Sequence, residues 1–326
     1  MILTIIQPCV QMQEVDTMSI GEEREPSKDL LISIVNGNDR GYIYECVESI
    51  IRNTQGITYD IVVIDNCTGD ARLSELEEMG ATLMRNERPM GFSSNHSQVL
   101  PMLDGYRYLL VFNDDAYPAN NAFGMMIREL DDEPTTAIAG CRIIGVDGED
   151  QPGAAPFPGL RYFVTNALGI DRDKGARYPR IFTEYIDFSK SGYVDWVSGC
   201  SMMLRTAFIR EHGFLDTGYF MFLEDTDICR RARAAGYRVK YMAQATVVHY
   251  GGGSSKVKGK GITPQLYIET QRSRLRYLKK YTLMSYFLYW GFINIYVYLK
   301  VLKSALSGDM EWVNGALSKT KKRLLT

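Results

Sequence analysis

Two pairs of adjacent carboxylates and one histidine are the residues of this 326-residue chain whose types and placing could do chemistry: Asp114 with Asp115, Glu224 with Asp225, and His249. Asp114 and Asp115 close the run YLLVFNDD, at the end of a continuously apolar stretch that reads as a buried strand. Two carboxylates packed there repel one another. A hard divalent cation such as Mg2+ or Mn2+ would relieve that repulsion while bridging a diphosphate. Glu224 and Asp225 open EDTDICRRARAAGY, which reads as a helix with acidic residues in its first turn and a glycine stop. The positive end of the helix dipole keeps such carboxylates ionised, and an ionised carboxylate can act as a base. Acidic pairs also occur at Glu22/Glu23, Glu77/Glu78 and Asp131/Asp132, so capping competes with catalysis on spacing alone. His249 follows the apolar TVV and precedes Tyr250 and three glycines. A single histidine more often packs or hydrogen-bonds than reacts.

Bringing such residues together requires a scaffold, and the hydrophobic pattern supplies one. Strand-like runs at residues 30–35, 60–64, 81–84 and 108–112 alternate with helix-like runs at 42–52, 71–79 and 91–103. A helical run at 122–130 and a strand at 137–144 follow. Such alternation with continuous apolar strands predicts an α/β fold, a mostly parallel sheet covered on both faces. Ligands of such sheets bind beyond the carboxyl ends of the strands. The first strands end in Asn36 and Asn38, in Asp65 and Asn66, and in Asn113, Asp114 and Asp115, three polar clusters at one predicted edge. Turn and cap formation is the competing reading for each cluster taken singly.

From residue 145 to 192 the pattern gives way to a Gly/Pro-rich segment of a length that usually serves function. Short strands are expected at 238–241 and 246–248, then a Gly/Ser/Lys-rich loop at 251–261, then a long helical tail. Residues 281–299 carry no formal charge, are dense in Tyr, Trp, Phe and Leu, and are flanked by Lys279, Lys280, Lys300 and Lys303. With Asn294 and so many tyrosines, an interfacial helix is expected in preference to a spanning one; packing on the α/β domain is the alternative. Arg272, Arg274, Arg276 and the closing KTKKR suit anionic headgroups, and Arg272 or Arg274 could instead reach a ligand phosphate.

The motifs VVIDN, N…GF…N, LLVFNDD, WVSGCSMMLR, YFMFLEDTDICRRARAAGY and VVHYGGGS stand in that order along the chain. Over about residues 30–281 this set resembles family 2 glycosyltransferases of the GT-A fold, a Rossmann-like mixed sheet, and most of all their bacterial rhamnosyltransferase-like members. VFNDDAYP is similar to the family's DXD-type signature, with Asn113 where many relatives of the wider fold carry Asp. The resemblance implies that Asp115 and His249 hold a divalent metal, Mg2+ or Mn2+, and that Asp225 of the Glu224–Asp225 pair is the general base. It implies that Asp65 holds the nucleobase, that Asn86, Gly91, Phe92 and Asn95 line the nucleotide and sugar pocket with Asn36, Asn113 and Asp114, and that Asp195, Trp196 and Gly199 lie beside the acceptor. The expected reaction is inverting transfer of a sugar, with rhamnose from dTDP-rhamnose one candidate, to a saccharide or polyprenyl-diphosphate-linked saccharide. The loop 251–261 would be a lid, with Lys256, Lys258 or Lys260 available to the diphosphate.

The expected organisation is an N-terminal extension (1–28), a GT-A catalytic domain (29–263) and a C-terminal helical, membrane-associating region (264–326). A formal net charge of −2 gives no basic field for nucleic acid. Six cysteines without a CxxC pair, and an N-terminal apolar run without a basic flank, predict a chain of a reducing compartment, placed on the cytoplasmic face of the membrane. No GxGxxG follows the first strand and no GxxxxGK[ST] occurs. A sugar nucleotidyltransferase would need a Gly-rich basic loop, for which residues 36–41 are a poor match. A noncatalytic nucleotide-sugar-binding subunit would have lost Asp115, Asp225 or His249, and all three are present.

Overall fold

A strand that is apolar on both of its faces must be covered on both, and β1 (Lys28–Asn36) is such a strand. In the computed structural model, which describes residues 26–37, 40–170, 186–251, 264–308 and 313, Leu30, Ile32 and Ile34 join one buried cluster and Leu31 the cluster on the opposite face. Along the chain follow α1 (Tyr42–Asn53), β2 (Tyr59–Asp65), α2 (Ser74–Glu78), β3 (Thr82–Arg85), α3 (Phe92–His96), β4 (Tyr106–Asn113), β5 (Ala116–Pro118), α4 (Ala122–Asp132) and β6 (Thr136–Ile144). Then come β7 (Asp150–Gln151), β8 (Ala154–Ala155), α5 (Leu160–Leu168), β9 (Gly192–Tyr193), β10 (Trp196–Val197), β11 (Ser201–Arg205), α6 (Thr206–His212), α7 (Glu224–Ala234), β12 (Arg238–His249), α8 (Pro264–Tyr281) and α9 (Leu283–Leu306).

The main sheet runs β3-β2-β1-β4-β11-β6-β12-β5. Its first four strands are parallel, with Asn36 in register with Asp65 and Val35 with Asn113, so the three polar clusters do share one edge. Beyond β4 the sheet is mixed: β11 lies antiparallel between β4 and β6, and β5 lies antiparallel to β12. This is the GT-A architecture, α/β with C-terminal helices. Three local expectations change. The helix expected at 91–103 is α3 followed by a 3-10 segment, Ser97–Gly105, containing Pro101, whose missing N–H breaks the α ladder. The two strands expected at 238–248 are one strand with a bulge between Met242 and Thr246. The segment 145–192 contains β7, β8 and α5.

The tail is two helices that part at Thr282, inside the uncharged stretch. Tyr289, Ile293 and Val297, four residues apart along α9, are buried against Phe163 of α5, Tyr219, and Tyr277 and Leu278 of α8. The opposite face leaves Leu283, Met284, Phe287, Leu288, Ile295 and Leu299 exposed. No helix among the described residues is long and apolar enough to cross a membrane. The fully buried Asp227 of α7 ties α8 to the core: it pairs with Arg231 (3.0 Å) and Lys280 (2.7 Å) and accepts the Tyr281 hydroxyl (2.8 Å). Residues 1–25, Asn38, the loop 252–261 with Lys256, Lys258 and Lys260, and the closing KTKKR lie outside the described residues.

Candidate active site

The ladder between β5 and β12 sets Ala116 opposite His249, which carries the imidazole back over the end of β4. His249 Nε2 lies 3.1 Å from Asp115 Oδ1 and 3.3 Å from Asn113 Nδ2. On the far side of the ring, Nδ1 is 2.9 Å from Gln151 Oε1, and Gln151 Nε2 donates to the His249 carbonyl at 2.8 Å. The second bond fixes the orientation of the Gln151 amide, which assigns a proton to Nδ1 and turns Nε2 toward Asp115. Burial alone would depress the imidazole pKa; the Cys200 sulfur and the Asp115 carboxylate reverse this and hold it up at about 11. Asp114 turns the other way and accepts Gly37 N–H at 2.9 Å. Burial, and less strongly the neighbouring Asp115, push its carboxyl up to about 7.

Among the described residues no group of three or more His, Cys, Asp or Glu side chains is placed to cage a metal. Two protein ligands at an open sheet edge nevertheless fit a hard cation that keeps waters and takes its remaining oxygens from substrate phosphates. Asp115 and His249 have the donor chemistry of such a pair once a cation takes the place of the proton between Nε2 and Oδ1.

At the neighbouring strand end Asp65 accepts Thr68 N–H (3.1 Å) and its hydroxyl (2.6 Å). Asn36 reaches the same hydroxyl at 3.4 Å. Asn86 and Asn95 form a clamp: Asn86 Nδ2 donates to Asn66 Oδ1 (3.0 Å) and Asn95 Oδ1 (2.6 Å), and Asn95 Nδ2 donates to the carbonyls of Met90 and Gly91 (both 3.1 Å). Their polar atoms shape the 86–91 loop. A Cβ on Gly91 would stand 2.7 Å from the Phe220 carbonyl oxygen, so glycine is needed where this loop meets the segment leading to α7.

That segment is unusual. Phe222 and Leu223 both have left-handed backbone conformations, φ 69° and 72°, immediately before Glu224. For bulky residues this is a strained arrangement, of the sort that clusters at functional sites. It sets the first turn of α7 so that Asp225 Oδ2 accepts Gly199 N–H (3.0 Å) and Oδ1 accepts Thr226 N–H (2.6 Å) and its hydroxyl (3.2 Å). Glu224 is buried, and its Oε2 has no hydrogen-bond partner. Burial, then the Asp225 charge, raise its pKa well above the usual range, while the donors around Asp225 oppose the rise that burial causes there. Both carboxyls are thus pushed up by burial, Glu224 the further, and the Gly199 and Thr226 donors make Asp225 the better placed of the two to carry a negative charge.

Asp225, Glu224 and Trp196 line a cavity of about 300 Å3, together with Pro156, Pro158, Tyr162, Phe163, Phe222, Leu223, Thr226, Thr270 and Arg274. Trp196 Nε1 donates to the Pro156 carbonyl at 3.0 Å, which fixes the indole in the wall. Gly199 touches Asp225 but does not line the cavity, and the Phe92 ring lies against Gly199. Asp195 is not in the wall: it braces the preceding loop through Phe157 N–H (3.0 Å) and Arg233 (3.0 Å). The two halves of the site meet at successive residues, since Gly199 N–H holds Asp225 while the Cys200 carbonyl accepts Asn113 N–H at 3.1 Å. Sequence reasoning missed Gln151, which stands in the Gly/Pro-rich segment with no motif around it, and the strained Phe222–Leu223 pair.

The model of the family described as Glycosyl transferase family 2 matches residues 30–213. The chain is 36% identical over 96 residues to the rhamnosyltransferase WbbL of Escherichia coli K12, a match covering 29% of this chain and 33% of that protein. It is 26% identical over 144 residues to the N-acetylglucosaminyl-diphospho-decaprenol L-rhamnosyltransferase of Mycobacterium tuberculosis, covering 44% of this chain and 47% of the relative. Matching thus reaches under half the length of these relatives. Among solved structures, GalNAc-T7 with UDP, GalNAc and Mn2+ superposes with a TM-score of 0.53 at 15% identity, covering 77% of this chain and 48% of that one. The mannosyltransferase PcManGT of Pyrobaculum calidifontis, with GDP-Man and Mn2+, gives 0.51 at 14% identity, over 79% and 65%. These likenesses show the fold.

Proposed function

Because the chain belongs to glycosyl transferase family 2, we propose that it moves a sugar from a nucleoside diphosphate to an acceptor hydroxyl by a single inverting displacement. The observation that carries this reading is the junction at residues 199–200, which holds Asp225 on one side and the Asn113–Asp115 edge on the other. In the proposed reaction the acceptor hydroxyl stands over Asp225 in the cavity. As its oxygen bonds to the anomeric carbon, its proton passes to Asp225, and the bond from that carbon to the diphosphate oxygen breaks. One displacement inverts the configuration. Glu224, held neutral, adds no second negative charge beside the base. Asp115 and His249 would hold a divalent cation, which when bound offsets the charge on the departing diphosphate.

The names of the two relatives support rhamnose as the sugar, and the second supports a lipid-linked saccharide as acceptor. The exposed apolar face of α9, with Lys279 and Lys303 near its ends, supports attachment to the surface of an anionic bilayer, which we place at the cytoplasmic face. Purified protein incubated with UDP-, GDP- and dTDP-sugars, with and without Mn2+, tests the reading by nucleoside diphosphate release. Release from one donor, stimulated by acceptor and lost in Asp225→Asn, is expected. No release and no donor binding across the panel would instead favour a noncatalytic subunit.

A further inference from the structure

The arginine of the cavity wall has no charge to answer its own. Arg274 is only 9% exposed, and among the described residues no carboxylate pairs with it. Its neighbours on α8 differ: Arg272 pairs with Glu269 at 2.8 Å, and Arg276 with Asp216 at 2.8 Å. The Arg274 guanidinium is held by neutral oxygens instead, Asn166 Oδ1 at 2.5 Å, Tyr289 OH at 3.3 Å and Gln271 Oε1 at 3.5 Å, and lies 5.6 Å from the Phe163 ring centre. These contacts fix its position and leave Nε–H and one N–H of Nη2 without a partner among the described residues. A buried cation without a counter-ion is costly. Glu224 and Asp225 line the same cavity, yet neither comes within ion-pair distance of Arg274. A fixed guanidinium with spare donors, in the wall of a mostly apolar cavity, is suited to a phosphate oxygen pair.

We propose that Arg274 is the specificity-determining residue of the acceptor side, and that the acceptor is a saccharide carrying a phosphate or diphosphate. This deepens the transferase reading and rests on it. With Trp196 in the wall and Asp225 beside it, the sugar occupies the cavity, its hydroxyl toward Asp225 and its phosphate toward Arg274. The phosphate belongs either to a lipid-linked saccharide or to a free sugar phosphate. Tyr289 favours the lipid, because the same helix that supports Arg274 on its inner face is apolar on its outer face.

The test uses the full chain, the donor found active in the panel, and three acceptors: an N-acetylglucosaminyl-diphospho-polyprenol, N-acetylglucosamine 1-phosphate, and a neutral octyl N-acetylglucosaminide. Wild type is expected to prefer the phosphorylated acceptors, and preference for the diphospholipid over the free sugar phosphate would identify the lipid as source. In Arg274→Gln the KM for phosphorylated acceptors should rise roughly 10- to 100-fold, the loss falling in KM more than in kcat, with partial recovery in Arg274→Lys. The neutral acceptor should show no such rise. Equal use of neutral and phosphorylated acceptors by wild type, a comparison that needs no variant to fold, would overturn the inference while leaving the transferase intact. Absence of turnover with every donor would remove both.

Discussion

Asp115 Oδ1 and His249 Nε2 stand 3.1 Å apart because β5 folds back along the end of β12. Their spacing is set by a sheet ladder, and the orientation of the imidazole by Gln151. Removing Gln151 should therefore loosen the pair without removing either proposed ligand. Gln151→Ala is expected to weaken Mn2+ binding, measured by calorimetry with nucleoside diphosphate present, by about 10- to 100-fold. His249→Ala should cost more. Equal affinity in Gln151→Ala and wild type would show that the amide does not position the ring.

The carboxylates at the start of α7 should separate by role. Asp225→Asn removes the proposed base and is expected to lower kcat by roughly 10^2- to 10^4-fold. Glu224→Gln replaces a protonated carboxyl by a neutral amide of the same shape and should stay within about 10-fold of wild type. Steady-state rates of both variants check this. The reverse order would move the base to Glu224.

Asp227 carries a structural load. Asp227→Ala leaves Lys280, Arg231 and the hydroxyls of Tyr219 and Tyr281 without their shared acceptor. A loss of about 2–4 kcal/mol is expected, below the full figure for a buried pair because Lys280 and Arg231 can reach water. The thermal midpoint should drop by several degrees, and proteolysis should release α8 and α9 before the sheet.

His96 supplies a pH dependence of known sign. It is fully buried against Ser33 Oγ (2.8 Å), and burial depresses its pKa to about 3. Between its unfolded value near 6.5 and that folded value, the unfolded chain binds a proton that the folded chain refuses. Its contribution to stability is therefore present above pH 6.5 and declines as pH falls toward 3, by at most about 1.4 kcal/mol per unit. Denaturant unfolding at pH 6.5 and 5.0 should show a flatter dependence for His96→Asn than for wild type.

The exposed face of α9 predicts flotation with vesicles containing phosphatidylglycerol and less with neutral ones. The triple change Leu283→Asp, Phe287→Asp and Ile295→Asp, all on exposed positions, should abolish flotation with little effect on the unfolding midpoint. Unchanged flotation would remove α9 as the contact.

The parallel half of the fold was legible because buried strands write themselves as unbroken apolar runs; those read at 30–35, 60–64 and 108–112 are β1, β2 and β4 to within two residues. β5 was not, since three residues, Ala-Tyr-Pro, leave no period to read and owe their strand conformation to β12. The chemistry-bearing types at the strand ends stood out through the order of their motifs. Gln151 and the isolation of Arg274 did not, because each is defined by what tertiary folding places around it. Asn86 and Asn95 were visible as polar residues near one strand end, but only the fold turns their amides on one another.

The consecutive left-handed residues Phe222 and Leu223 bear on any engineering of this chain. Glycine at either position would relieve roughly 1–2 kcal/mol of steric cost, and a stability-driven redesign would select it. Both side chains line the cavity beside Glu224 and Asp225. Such a redesign would exchange a shaped wall for a freely turning hinge, so variants chosen for heat resistance at these positions should be screened for acceptor discrimination before they are kept.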